Sequence, residues 1–270
     1  MRPDGCSCLI ARARTVLTSR MLLAVAALLC TGGAAAGEDV IADNPLVEIS
    51  GGPFVFGNDT GDENERPRHV VEGQAFAMNQ TEITNAQYRR FVAATGHRAA
   101  FYDRHPALGL PDHPVVGVSF ADAEAFCAHY GLKLPSEQEY ERAARGPQGA
   151  HFPWGDAPVD ATRANFGRGA CCDEDASDGH DMTAPARSFP LGASREGLLN
   201  LVGNVWEWTR DFYAPYGGQA LPEIAGKYRV LRGGAWNSDP TRLSTTRRLA
   251  YDPDFRFAAN GGFRCVRSPD

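Results

Sequence analysis

Beyond its first 36 residues, the sequence lacks any apolar run long enough to cross a bilayer, which takes about 20 residues in a helix. It also lacks an excess of positive charge, since 27 Lys and Arg stand against 33 Asp and Glu, for a net charge of −6. An acidic chain is poorly suited to binding nucleic acid or an anionic membrane surface. Internal repeats and low-complexity tracts are absent as well. We therefore expect a single domain that is a monomer. We also expect that it binds no nucleic acid and is not stably inserted in a membrane.

The first 36 residues have the pattern of a cleaved export signal. Arginines precede the apolar run MLLAVAALLC, and the small residues Ala34 and Ala36 fit an A-x-A cleavage site. We therefore expect residues 1–36 to be removed, residues 37–45 to be a linker and residues 46–268 to form a single periplasmic or secreted domain. Removing four arginines and one aspartate lowers the net charge from −6 to −9. The alternative is an uncleaved membrane anchor.

Three helices are predicted from their capping residues, each with a Ser or Thr at its start and a glycine at its end. They run between Thr84 and Gly96, between Ser119 and Gly131, and between Ser136 and Gly146. The runs VEISGGPFVFG, HVVEGQAFAM, KYRVLRGG and GFRCVR favour short strands. From 147 to 197 the chain shows little periodicity, and such long irregular segments are usually functional or held by metal.

The densest polar signal is LLNLVGNVWEWTRDFY, residues 198–213. Asn200, Asn204 and Glu207 supply oxygen ligands, and backbone carbonyls near Gly203 add others. Hard oxygen donors on an irregular loop suit Ca²⁺. An equally open alternative is a core pair of Trp206 and Trp208, with the asparagines capping turns.

Three segments in this chain order, GNVWEWTRDFY, RVLRGGAWN and NGGFRCVR, resemble the signature segments of the formylglycine-generating enzyme (sulfatase-modifying factor) family. The N-terminal segments GGPFVFGND, TEITNAQYRRFVAATG and FPWGD add to the resemblance, which extends over residues 46–268. It implies an α+β fold, the formylglycine-generating-enzyme fold, which is C-type-lectin-like and poor in regular secondary structure.

The resemblance also implies bound calcium and a disulfide. One implied calcium set is Asn200, Gly203, Val205 and Glu207, and the other is Asn165, Phe166, Asp178 and His180. The implied disulfide joins Cys127 to Cys265, and a bridge over so long a loop stabilises the fold by constraining the unfolded chain.

The sequence departs from the family at the copper centre. Where family enzymes carry two cysteines that bind Cu(I), this chain has Ser238 and Leu243. A hydroxyl and an aliphatic group cannot replace two soft thiolates. Formylglycine generation by copper-cysteine chemistry is therefore not expected here.

The adjacent Cys171 and Cys172 leave a copper or redox role open elsewhere. Together with His180 and Met182 they offer soft or borderline ligands for Cu(I). Alternatively, the pair forms a reducible vicinal disulfide, or is inert.

The segment RVLRGGAWNSDPTRLS, residues 229–244, is expected to form the substrate groove. The candidate catalytic residues are Trp236, Asn237, Ser238 and Arg242, and the candidate substrate-binding residues are Trp206, Arg232 and Arg247. Arginine binds carboxylates bidentately, which suits an acidic or peptide substrate. The alternative for these arginines is internal pairing with Asp239, Asp252 and Asp254. Ser238 is expected to orient substrate, because no His–Asp partner lies near it in sequence.

Three functions remain open at this point. The first is an exported oxidoreductase or maturation factor that acts on a peptide or protein. The second is a non-enzymatic accessory of a periplasmic metalloenzyme, such as copper nitrite reductase, and the third is a lectin-like binding module. The resemblance includes exported relatives of the first two kinds.

Overall fold

The computed structural model describes residues 43–168, 175–216 and 223–269. Three helices lie within these ranges: α1 (Asn85–Thr95), α2 (Phe120–His129) and α3 (Glu137–Arg145). The strands there are β1 (Leu46–Ile49), β2 (Gly52–Phe56), β3 (His69–Gly73), β4 (Phe76–Asn79), β5 (Trp206–Phe212), β6 (Arg229–Arg232), β7 (Arg248–Tyr251), β8 (Gly261–Gly262) and β9 (Val266–Arg267). Single turns of 3₁₀ helix cover Glu63–Glu65, Pro190–Gly192 and Pro240–Arg242.

The strands form three small sheets. One has the order β1-β4-β9, a second pairs β2 with β3, and the third has the order β7-β6-β5-β8. Pairing is antiparallel except between β5 and β8, where Trp206 lies opposite Gly261. The third sheet carries the candidate site, because β6 leads directly into the segment with the two adjacent glycines.

The three helices predicted from their caps are confirmed. Thr84, Ser119 and Ser136 each accept a hydrogen bond from the backbone N–H three residues on. Each cap is a reciprocal capping box, which satisfies two otherwise unpaired helix-end N–H groups. Helix α2 ends at Tyr130, and the following Gly131 takes the left-handed conformation with φ of 70°.

The prediction of an irregular loop around Glu207 is wrong. WEWTRDF forms strand β5, which pairs with β6 on one side and β8 on the other. These partners lie far along the chain, so no local pattern indicated the pairing. Strand β7 was also not predicted, for the same reason. In the described part of 147–197, regular structure is confined to the Pro190–Gly192 turn and a bridge between Phe152 and Gly155.

The main core packs α1 and α2 against the third sheet. Trp208 is buried there, and its Nε1–H donates to the Val118 carbonyl at 3.2 Å. In the structure Cys127 of α2 is joined to Cys265 in a disulfide, with a Cα–Cα distance of 5.7 Å. This bridge links the second helix to the residue directly before β9.

Two expectations fall on residues outside the described ranges. These are the export signal at residues 1–36 and the vicinal pair Cys171 and Cys172. Within residues 43–168, 175–216 and 223–269, no helix has the length and apolar character needed to span a membrane.

A buried ion pair joins the end of the chain to strand β5. Arg264 donates from Nε to Glu207 Oε2 at 2.7 Å and from Nη2 to Oε1 at 2.8 Å. Both side chains are fully buried. Arg264 also donates to the Leu199 carbonyl at 2.8 Å. A second carboxylate, Glu82, is buried close by. Because water does not reach either carboxylate, Arg264 balances their negative charge.

Arg264→Met should therefore lower the free energy of unfolding by about 3–5 kcal/mol, because it leaves a buried carboxylate without its cation. Urea denaturation of the purified protein, with a calcium chelator present, measures this. The matched control is Arg267→Gln, three residues on, whose pair with Glu48 is exposed and worth about 0–1 kcal/mol. Equal losses in the two variants would contradict the importance of the buried pair.

Candidate functional site

A sharp turn follows β6 at Gly233 and Gly234, which have φ of 96° and 84°. Only glycine adopts such values without steric cost. A Cβ at Gly233 would lie 2.6 Å from Tyr140 Oη and 2.9 Å from the Leu201 carbonyl oxygen. The turn therefore depends on glycine both for its backbone angle and for its close packing on α3 and the 199–204 segment.

This turn opens onto a pocket of about 250 Å³, called here the turn pocket. Five of the residues singled out from the sequence line it: Trp206, Asn237, Ser238, Arg242 and Arg247. Asp239, Leu243 and Asn260 complete the lining. The structure thus brings most of the predicted catalytic and substrate-binding residues to one place.

Ser238 is held by backbone groups. Its Oγ accepts a hydrogen bond from the Ala235 N–H at 3.0 Å, and its carbonyl accepts one from Gly167 at 2.9 Å. Also in the lining, Asn260 Nδ2 donates to Asn237 Oδ1 at 3.0 Å. The pocket therefore offers fixed hydroxyl and amide groups, which suit the orientation of a polar substrate.

Two residues expected in the groove lie behind it. Trp236 is packed in the main core, and its Nε1–H donates to the Ala259 carbonyl at 3.2 Å. Arg232 is fully buried, with Nη2 donating to Glu141 at 2.6 Å and Nη1 to Glu137 at 3.0 Å. The assignment of Arg232 to substrate binding is therefore wrong, because its charge is neutralised inside the protein. Trp236 supports the pocket from the core and does not line it.

The two accessible arginines of the pocket share one carboxylate, Asp62. Arg247 Nη1 pairs with Asp62 Oδ2, and Arg242 Nη2 lies 3.4 Å from the same oxygen. Internal pairing, the alternative to substrate binding, thus occurs, but the salt-bridge partner is Asp62, about 180 positions earlier, and not Asp239, Asp252 or Asp254. Partial burial acts to raise the pKa of Asp62, but the hydrogen bonds and charges of Arg247 and Arg242 hold it below its ordinary value.

The first implied calcium set fits a cation only in part. Asn200 is buried, and its Oδ1 has no hydrogen-bond partner among the described residues. Glu207, in contrast, already accepts from Arg264 through both oxygens and from Tyr140 Oη at 3.2 Å. Its negative charge is therefore balanced by Arg264 without a metal.

The second implied set fits a cation better. Asp178 accepts from the backbone N–H of Phe166 at 2.7 Å and of His180 at 3.0 Å, which gathers three of the four residues around one carboxylate. Burial raises the pKa of Asp178 despite these hydrogen bonds. The Oδ1 of the fourth residue, Asn165, is buried and lacks a partner in the described part of the chain.

Glu82 and Asn204 connect the two sets. The sequence indicated Asn204 as an oxygen ligand, whereas Glu82 was missed. Glu82 accepts from Asn204 Nδ2 at 2.8 Å and from Asn200 Nδ2 at 3.1 Å. Asn204 Oδ1 in turn accepts from Asn165 at 3.1 Å. Burial raises the pKa of Glu82 to about 7. No local signal marks Glu82, which lies two residues before the cap of α1 and meets its partners only in the tertiary structure.

The chain is similar to known proteins over most of its length. The sequence profile of the sulfatase-modifying factor enzyme 1-like domain matches residues 36–269. The formylglycine-generating enzyme of Streptomyces coelicolor is 33% identical, and the alignment covers 83% of this chain and 89% of that protein. The hercynine oxygenase of Mycolicibacterium thermoresistibile is 34% identical over 68% of this chain, but this chain spans only 50% of its length.

The solved structure of PvdO from Pseudomonas aeruginosa has the same fold. It superposes with a TM-score of 0.68 at 27% sequence identity, and the match covers 83% of this chain and 94% of PvdO. The α+β architecture expected from the sequence motifs is thereby confirmed as that of the formylglycine-generating enzymes.

The glycine turn generates a direct test. Gly233→Ala should lower the free energy of unfolding by roughly 2–5 kcal/mol, the combined cost of a left-handed non-glycine residue and of overpacking. Gly96→Ala is the matched control, since Gly96 has φ of 73° but open space around its Cβ position, and should cost roughly 1–2 kcal/mol. Thermal or urea unfolding measures both, and equal costs would contradict the close packing at the turn.

Proposed function

The chain belongs to the sulfatase-modifying factor enzyme 1-like family, and from this membership we propose that it is an exported oxidoreductase or maturation factor acting on a peptide or protein. The observation that carries the proposal is the turn pocket. It gathers Asn237, Ser238, Arg242 and Arg247 beside Trp206 in one cavity. In this proposal the protein works in the periplasm or outside the cell.

The pocket supplies binding and orientation. Trp206 contributes an aromatic surface, and the hydrogen-bonded amides of Asn237 and Asn260 offer the donor and acceptor groups that a peptide backbone needs. Ser238 Oγ accepts from the Ala235 N–H, which leaves its hydroxyl hydrogen free to donate to a substrate. Fixed polar groups of this kind raise the rate of a reaction by holding the reacting parts in place.

The lining of the pocket does not fit the copper centre of the formylglycine-generating enzymes. By the family resemblance, Ser238 and Leu243 stand where those enzymes carry the copper-binding cysteines, and both residues line the pocket. Neither side chain supplies a soft ligand for Cu(I). The proposed activity therefore differs from copper-cysteine formylglycine generation.

A binding module without chemistry is the second candidate. It is favoured by one observation, namely that the hydrogen bonds of Ser238 in the described structure run to backbone groups and not to a side-chain base. Nucleophilic catalysis needs such a base. The accessory role that depends on Cys171 and Cys172 stays a prediction, since both lie outside the described residues.

We also propose that calcium binds at Asn165, Phe166, Asp178 and His180. Support comes from the unpartnered, buried Oδ1 of Asn165 and from the buried carboxylate of Asp178. Calcium prefers such oxygen ligands, including backbone carbonyls. When bound, the ion would balance the charge of Asp178 and hold the irregular segment between α3 and β5. At Asn200, Gly203, Val205 and Glu207 the fit is weaker, because Arg264 already neutralises Glu207.

The proposed activity predicts a change in mass of exported peptides or proteins. Mass spectrometry would compare a deletion strain with strains complemented by the wild type, by Ser238→Ala/Arg242→Ala and by the surface control Arg267→Gln. We expect the wild type and the control to restore an oxidative mass change. The double variant should restore it roughly tenfold less well, which corresponds to about 1.4 kcal/mol of lost interaction.

Full restoration by the double variant would contradict a role for the turn pocket. An identical exported proteome with and without the gene would instead favour the binding module.

The calcium proposal predicts stabilisation by the ion. Calcium at about a hundred times its Kd should raise the free energy of unfolding of the wild type by roughly 2.7 kcal/mol. Asp178→Asn should lose most of this gain, whereas Asp254→Asn, an exposed control, should keep it. Thermal unfolding with calcium or chelator measures the effect. A midpoint of the wild type that calcium does not move would refute the site.

A further inference from the structure

We propose that Arg242 and Arg247, called here the arginine subsite, bind a carboxylate group of the substrate, and that Asp62 occupies the subsite until the substrate displaces it. The inference rests on the proposed function, since it names the chemical group that the turn pocket recognises. It goes further in assigning a competing role to Asp62, a residue of a separate segment of the chain.

The two guanidinium groups of the arginine subsite meet at one carboxylate. Both arginines line the turn pocket, and both reach the same carboxylate oxygen, Oδ2 of Asp62. Two guanidiniums that converge on one oxygen form a site for a carboxylate. The Arg242 side chain is 61% exposed and that of Arg247 18%, so the site is open to solvent on the Arg242 side.

The pairing with Asp62 differs in exposure from the other arginine pairs around the turn. Arg232, Arg248 and Arg264 face carboxylates that are at most 8% exposed. The Asp62 side chain, in contrast, is 49% exposed. Solvent-exposed ion pairs contribute little to stability. A ligand carboxylate can therefore replace Asp62 at little cost, whereas the buried pairs are permanent.

The turn pocket has an excess of positive charge in its lining. Its lining carries the two arginines and one carboxylate, Asp239, whose Oδ1 accepts from the N–H and hydroxyl of Thr241. The lining alone thus has one excess positive charge. Asp62 neutralises this charge from outside the lining, and a ligand with one carboxylate would do the same from inside the pocket.

The segment that carries Asp62 is held in place through Glu65. Glu65, three residues on, is buried and accepts from Thr246 Oγ1 at 2.6 Å, and its backbone N–H donates to the Asp62 carbonyl. These contacts do not involve the Asp62 carboxylate. The side chain can therefore leave the arginines while the segment stays in place.

The size of the pocket limits the ligand. Its volume of about 250 Å³ is below the roughly 300–1,000 Å³ typical of sites for drug-sized molecules. It suits a short part of a peptide, with the carboxylate at the arginine subsite and the adjoining atoms against Trp206. The carboxylate is either an acidic side chain or the free C-terminus of the peptide.

Three synthetic peptides separate these sources when their binding is measured by isothermal titration calorimetry. They are acetyl-Gly-Ala-Glu-Ala-Gly-amide, the same peptide with Gln in place of Glu, and that Gln peptide with a free C-terminus. We expect one or both of the carboxylate peptides to bind more tightly than the neutral one. A preference for the first identifies a side chain, and a preference for the third identifies a C-terminus.

The variants test the competing role of Asp62. Asp62→Asn should tighten binding of the preferred peptide by up to about tenfold, the equivalent of about 1.4 kcal/mol, because the competitor is gone. Glu63→Gln removes the same charge from the neighbouring residue and should change the affinity less than about twofold, since exposed charges are screened by salt. Arg242→Gln should abolish the preference for carboxylate, and its thermal midpoint checks that it is folded.

Two results would overturn the inference. One is equal or undetectable binding of all three peptides by both the wild type and Asp62→Asn. The other is a response of Asp62→Asn no larger than that of Glu63→Gln. Neither result bears on the proposed function, which is tested by the mass change in cells. Because that measurement does not depend on a carboxylate, failure of one proposal can be distinguished from failure of the other.

Discussion

Arg264 and Glu207 form a two-point ion pair that no solvent reaches, and much of the fold is arranged around it. Burial acts to lower the pKa of Arg264, but the facing carboxylate of Glu207 raises it, so the guanidinium stays charged. The same guanidinium donates to the carbonyls of Asn79, Gln80 and Leu199. One side chain thus joins the end of β4, the segment before β5, and β5 itself. Such a pair holds only when every partner is in place, because an unmatched buried charge is very costly.

The residues around the Arg264–Glu207 pair also support the turn pocket. Tyr140 of α3 donates to Glu207 and to the Leu201 carbonyl, and its hydroxyl is the group that leaves no room for a side chain at Gly233. On the other side of the turn, Arg232 ties β6 to α3 through Glu137 and Glu141. Irregular backbone around the pocket is therefore supported by buried charge and hydrogen bonds more than by regular secondary structure. Because these supporting residues are not part of the pocket lining, the lining residues can change without loss of the fold.

The parts of the fold that were predictable are those that depend on neighbours in sequence. Capping boxes at Thr84 and Ser136 and the terminating glycines marked the helices, because their hydrogen bonds span three or four residues. Strand β5 was missed, because its pairing with β6 and β8 joins distant segments and its two tryptophans also suit a loop. Within the site, Ser238 and Asn237 were identified from the glycine turn, whereas Asp62 and Asn260 were not, since they reach the pocket from other segments.

The sequence by itself determined the family, the helix boundaries and the position of the glycine turn. Each of these depends on residues that are adjacent or regularly spaced in the chain. Tertiary structure decided which arginines are available to a substrate. Arg232 and Arg242 are ten residues apart and chemically identical, yet one is fully buried between two glutamates and the other is exposed beside Asp62. The difference arises because a charged side chain is neutralised by whichever partner the fold brings to it, and those partners lie about 90 to 180 positions away.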